Sequence, residues 1–154
     1  MRKLKCPMRL FHLSVRPLPD LFVRPRVPKR DFAMEGEECR TPRFCMAESV
    51  LGCVRALGYS DPGCIGTKFR IYEPADPVRL FGLGFVSRPN RLEVPDASVT
   101  GEIWITAPFW LRETGLAEIT GYSDGTGRLE NRYFIKNDPM FVDDFRIDVR
   151  GESI

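Results

Sequence analysis

Prolines at positions 17, 19, 25, 28 and 42 crowd the stretch from Arg16 to Pro42, and each removes a backbone donor that a helix or sheet interior needs. The run "MEGEECR" inside that stretch adds acid and glycine but no hydrophobic period. A long loop is therefore expected here, and regular structure has to come from the shorter runs on either side. A loop of this length in a compact domain is typically functional, which marks it as a substrate-binding or partner-binding element.

Ahead of the loop, "RLFHLSV" alternates, with Leu10, His12 and Ser14 on one face and Phe11, Leu13 and Val15 on the other. It reads as a strand with one well-buried side. Beyond the loop, Arg43 to Met46 read as a short strand, and Val50, Leu51, Val54 and Leu57 recur at helical spacing. Glu48 or Ser49 would cap that helix and Gly58 would end it. "KFRIYEP" reads as a strand, while "DPVRLFGLGFVSRPNRLEVPD" reads as a turn-rich connection with a short apolar piece. Its "GLGF" lacks the spacing of a dinucleotide-binding glycine motif and reads as a turn. "GEIWITAPFWL" sets Ile103 and Ile105 against Trp104 and Thr106. "GLAEITGYSDGTGRLENRYFIK" reads as a hairpin about "SDGTG", and "MFVDDFRIDV" as a closing strand.

Many short strands and one clear helix predict an α+β fold with mostly antiparallel sheet, over residues 1–154 as a single domain. Residues 1–7 are expected to form a dispensable arm, because the first structured run starts beyond Met8. An apolar content of 43% in 154 residues suffices for a continuous core, and no window is long and apolar enough to span a membrane. The formal charge of +2 is small and acids interrupt the arginines, so nucleic-acid binding is not indicated; Arg24, Arg26, Lys29 and Arg30 are the phosphate contacts it would use.

"MRKLKCPM" begins like a signal peptide but runs into His12, Arg16 and prolines rather than an apolar core segment. Five cysteines without a CxxC pair, and one histidine, disfavour a structural metal. Reduced thiols in a cytoplasmic protein are the expectation. HExxH, P-loop and GxSxG motifs are all missing, which excludes the enzyme classes they serve.

Three patterns in a fixed order carry chemistry: "LFHLS" in the first strand, the strand-to-helix "FCMAES", and "GEIWI" with Glu102 at a strand mouth. Together they resemble the ADP-ribosyltransferase superfamily, in the branch marked by histidine, aromatic and glutamate. The resemblance implies a split sheet around a cleft, NAD as substrate and a macromolecular acceptor, a protein first, as in bacterial or phage effectors. On that reading Glu102 is the catalytic carboxylate, binding the nicotinamide ribose while positive charge develops as the glycosidic bond breaks. His12 would hold the adenosine ribose, Leu13 would offer backbone groups to the nicotinamide amide, and Ser14 and Ser49 would add polar contacts. The family's middle tyrosine falls on Phe44 or Cys45, and a one-residue slip in a strand reverses the face. Phe44 is the one that could stack on the nicotinamide ring.

Each residue also has a plain structural use: His12 as a satisfied strand residue, Glu102 as an edge charge, Ser49 as a helix cap. The rival function keeps the fold without catalysis, with the proline-rich loop and the Trp104 to Trp110 region forming a protein-binding surface. His12 and Glu102 meeting in one concave site is the geometry that separates these readings.

Overall fold

The structure, a computed structural model, describes residues 1–30, 33, 35–59, 62–122 and 145–150. In chain order its elements are β1 (Arg2–Lys3), β2 (His12–Ser14), β3 (Phe22–Val23), β4 (Phe44–Ala47), α1 (Val50–Ala56) and β5 (Lys68–Pro74). There follow α2 (Pro77–Gly82), β6 (Val86–Arg88), α3 (Ala97–Thr100), β7 (Glu102–Ile105), β8 (Phe109–Tyr122) and β9 (Phe145–Arg150). The fold is α+β, as expected, and its strands pair antiparallel in two sheets. One sheet runs β1-β6-β7-β4; the other runs β2-β5-β8-β3, with β9 also paired to β8.

Strand β5 occupies the "KFRIYEP" run, whose Phe69, Ile71 and Tyr72 suit a ladder; its first half alternates, and Ile71 to Pro74 are all buried. "GEIWITAPFWL" divides in two: β7 ends at Ile105 and β8 begins at Phe109, with Pro108, which cannot donate to a ladder, between them. The "SDGTG" turn lies outside the described residues, but β8 and β9 pair from Leu116 with Arg150 to Tyr122 with Phe145.

Two expectations change. Among the described residues three α-helices stand where one was expected: the short α3 is one addition, and "DPVRLFG" forms α2, where the Asp76 carboxylate accepts from the Arg79 N–H at 2.9 Å and Pro77 opens the first turn. Residues 1–7 are also more than an arm. Strand β1 lies on β6, the Leu4 N–H donates to the Val86 carbonyl at 2.9 Å, and Leu4 and Met8 pack on the core.

Strand β2 lies where two cores meet. Phe11 and Leu13 pack with Ala47, Leu51, Val54, Phe69 and Ile119 beneath α1. Leu10, on the opposite face, joins Met46, Tyr72, Phe81, Ile103 and Ile105 between the sheets. Within β2 itself Leu13 is buried while His12 and Ser14 are half-exposed, so the strand keeps one well-buried side, and each large apolar side chain so placed contributes about 1.5–3 kcal/mol. Among the described residues no helix is long and apolar enough to cross a membrane, and no cluster of His, Cys, Asp and Glu is arranged to hold a metal.

Candidate functional site

The site begins as an interrupted strand pairing. Phe11, just ahead of β2, exchanges both backbone hydrogen bonds with Ala47 of β4, at 2.8 and 2.9 Å, and this bridge joins the two sheets. A second bridge, between Arg43 and Arg26 at 3.0 and 3.1 Å, brings the proline-rich segment onto the same edge of β4. Between the bridges the pair Leu13–Cys45 is not made. Successive strand residues present their backbone groups to alternate edges, so Leu13 and Cys45 both turn N–H and C=O toward this gap. The Cys45 carbonyl instead faces Nδ1 of His12 at 3.4 Å, and the Phe11 carbonyl also accepts the Cys53 thiol at 3.1 Å.

A pocket of about 240 Å³ opens at the gap, lined by Phe11, His12 and Leu13 of one sheet and by Cys45, Met46, Ala47 and Glu102 of the other. Cys53, Ala56 and Leu57 of the α1 region, Thr100 of α3 and Glu37 of the long loop complete it. His12 and Glu102 thus line one concavity. They approach it from opposite sides: Glu102 lies across from Ala47 on the face of β7 toward α1, whereas His12 leaves β2 toward Phe44.

Glu102 is tightly held. The Trp104 indole N–H donates to Oε1 at 2.6 Å, and the Cys45 thiol donates from the neighbouring strand. Burial raises the carboxyl above its ordinary value and the Glu37 charge acts in the same sense; the Trp104 and Cys45 hydrogen bonds and the Arg43 charge oppose it. Cys45 keeps solvent contact through the pocket, yet the surrounding walls, and then the Glu102 carboxylate, push its thiol well above the ordinary range. It is a hydrogen-bond donor here, not a nucleophile. Burial pushes the Cys53 thiol up to about 12.

Burial lowers the pKa of His12, with the Cys45 carbonyl hydrogen bond opposing the shift. A carbonyl only accepts, so Nδ1 carries the proton in this contact, which leaves Nε2 of the neutral ring as an acceptor. Below about pH 6.5 the unfolded chain then binds a proton that the folded chain refuses. His12 therefore costs stability progressively as pH falls through the window below that value, and nothing above it. The chain has one histidine, so His12→Gln is expected to remove this acid-side decline. The raised Glu102 carboxyl contributes the opposite slope in both proteins, so it cancels in the difference. Urea midpoints of the two proteins measured from about pH 7.5 to about pH 5 check this, and parallel curves would refute it.

The remaining expected residues fall as follows. Leu13 lines the pocket. Phe44 lies on the other face of β4 from Cys45; its ring centroid is 4.7 Å from that of His12 and 5.5 Å from that of Phe109. It supports the histidine from behind and is not in the pocket wall, so the residue beside Glu102 is Cys45. The Ser14 hydroxyl donates to the Arg16 carbonyl at 2.6 Å, and Ser49 caps α1 by accepting from the Gly52 N–H at 2.9 Å. Neither serine lines the pocket. Tyr72 is buried and its hydroxyl accepts from the Leu18 N–H at 3.2 Å, while Tyr59 packs edge-on against Phe69, and neither lines the pocket.

Trp104, Arg43 and Glu37 belong to the site without having been singled out for it. Trp104 was legible, since residues two apart in a strand share a face and Glu102 precedes it by two. Arg43 and Glu37 depend on long-range pairing of the loop. No protein-family model matches this chain, and no curated protein or solved structure is significantly similar to it.

Proposed function

We propose that the chain is an ADP-ribosyltransferase that uses NAD as substrate and modifies a macromolecular acceptor, a protein first. The observation that carries the reading is that His12 and Leu13 from one sheet and Glu102 from the other line a single pocket at the gap where the sheets part. The lining suits the nicotinamide end of the ligand. It holds two carboxylates, Glu37 and Glu102, and no lysine or arginine among the described residues, which favours a cationic ring over a phosphate. Leu13, which the resemblance sets against the nicotinamide amide, lines the same pocket. The volume of about 240 Å³ fits one half of a dinucleotide, so the pyrophosphate and adenosine would lie outside, toward Nε2 of His12.

In this reading Glu102 binds the nicotinamide ribose and stabilises positive charge as the bond to nicotinamide weakens. His12 orients the second ribose, with Phe44 fixing the imidazole plane. One observation favours the non-catalytic rival: a thiol, Cys45, occupies the wall position where a stacking aromatic is expected.

Thermal shift separates the two. A ligand that binds only the folded state at about 100 times its Kd adds about 2.7 kcal/mol. For a chain of this size that is a rise in Tm of roughly 5–10 °C with NAD. No shift at millimolar NAD would remove the enzyme reading, and a shift with adenosine diphosphate but not with nicotinamide mononucleotide would remove the assignment of this pocket.

A further inference from the structure

Glu102 is reached by a chain of contacts that starts in the proline-rich loop. The Arg43 side chain is fully buried, and its guanidinium lies 4.0 Å from the centroid of the Trp104 ring. Its terminal nitrogens are held by Glu37 and by Glu38, the latter at 3.2 Å. The Glu38 carboxylate is in turn fixed by the Arg40 and Thr41 N–H groups at 2.6 and 3.0 Å, and the Glu38 N–H donates to the Glu93 carbonyl at 2.7 Å. Trp104 is itself 1% exposed, packed against Val94 and Ala97, with its N–H on Glu102.

A buried indole must find an acceptor for its N–H, and here that acceptor is a carboxylate lining the pocket. A cation over the π face withdraws electron density from the ring, which makes the N–H a stronger donor. Arg43 and Glu102 therefore act on the same ring, one on its face and one at its edge, and neither charge touches the other directly.

We infer that Trp104 is the positioning residue of Glu102: polarised by Arg43, its indole N–H fixes the carboxylate in one rotamer and stabilises its charged form in the pocket. The assignment of Glu102 to catalysis rests on the ADP-ribosyltransferase reading; the Trp104–Glu102 link does not. Arg43 acts on the carboxylate through its charge, and other polar groups lie in the neighbourhood. Cys45 donates to it, Glu37 and His12 share its pocket, and Glu48, beside Gly101, is neutralised by Arg88 at 2.5 Å. None of them replaces the indole as a donor of fixed direction, because the thiol rotates and the others are an acceptor, a neutral ring or a paired charge.

The test replaces the indole N–H without changing the packing. The chain carries benzothienylalanine at position 104, which keeps the ring shape and lacks the donor, and Trp104→Phe serves as an independent variant. The Glu102 carboxyl is titrated by 13C NMR in each folded protein. Loss of the donor is expected to move its titration to higher pH, because a hydrogen bond to the charged form is removed. Where NAD turnover is present, the acidic limb of kcat moves the same way, and kcat falls about 100-fold with KM for NAD little changed. An unchanged Glu102 titration in the benzothienyl protein overturns the inference whatever the activity. A shifted titration in a protein that neither binds nor cleaves NAD upholds the link and removes the function proposed for the site.

Discussion

Glu102→Gln should reduce release of nicotinamide from NAD by about 10²–10³-fold, the loss typical of removing one preorganised electrostatic group from a transition state, while leaving the fold intact. The amide is nearly isosteric with the carboxylate, and its oxygen still accepts from the Trp104 indole at the place of the 2.6 Å bond. Stability should even rise slightly at neutral pH. The Glu102 carboxyl is raised above its ordinary value by burial, so above that raised pKa the folded state carries an ionised group that the unfolded chain solvates better. The penalty is absent at low pH, where the carboxyl is protonated in both states, and grows as pH rises through the folded pKa. Gln removes it. Single-turnover release of nicotinamide and urea denaturation at neutral pH give the two readouts. Unchanged release would exclude Glu102 from the chemistry, whereas an edge charge of no consequence would give neither effect. Loss of activity with gain of stability is the pattern of a site that holds a charge against the preference of its surroundings.

The parts of this site that follow local rules were legible in the sequence. Alternation in "GEIWI" puts Ile103 and Ile105 in the core and Glu102 with Trp104 on the other face, as observed. The same rule, applied to "RFCMA", leaves open which of Phe44 and Cys45 shares the Glu102 face, because both flanking faces carry apolar residues. Only the register with β7, which sets Cys45 opposite Trp104 and Ala47 opposite Glu102, decides for Cys45. Helix α2 had its signals in Asp76 and Pro77, but the glycines of "GLGF" outweighed them; the structure puts Gly84 at φ 71, just past the helix, where such a residue ends a turn. The loop is a different case. Glu37 reaches the pocket because Arg26 bridges Arg43 and Glu38 reaches Glu93, contacts between residues far apart in sequence that carry no periodic signature. The gap between Leu13 and Cys45 was equally invisible, since an unmade strand pair leaves no mark on composition.

Gly52→Ala tests the support beneath that gap, and a loss of about 3 kcal/mol is expected. Gly52 lies in the first turn of α1, three residues after its Ser49 cap, where alanine would ordinarily be the better helix former by up to about 1 kcal/mol. Here helix α1 presses on the end of α3, and a Cβ at position 52 would stand 2.1 Å from the Thr100 carbonyl oxygen and 3.1 Å from its carbon. Backbone atoms cannot rotate aside, so one helix must move. Thr100 lines the pocket and is followed by Gly101, at φ 64, and then by Glu102, so the displacement would pass directly into the first residue of β7. The fall in Tm should be roughly 6–12 °C for a chain of this length, and any NAD-dependent activity should fall with it even in the fraction that remains folded. Gly82→Ala is the control: it sits at the last turn of α2, where an added methyl group would meet nothing within 4 Å among the described residues, and propensity alone should make it neutral or slightly stabilising. Circular dichroism melts of both variants read the difference. If Gly52→Ala melts with Gly82→Ala, the close approach of α1 to α3 is wrong, and with it the placement of Glu102 at the pocket edge.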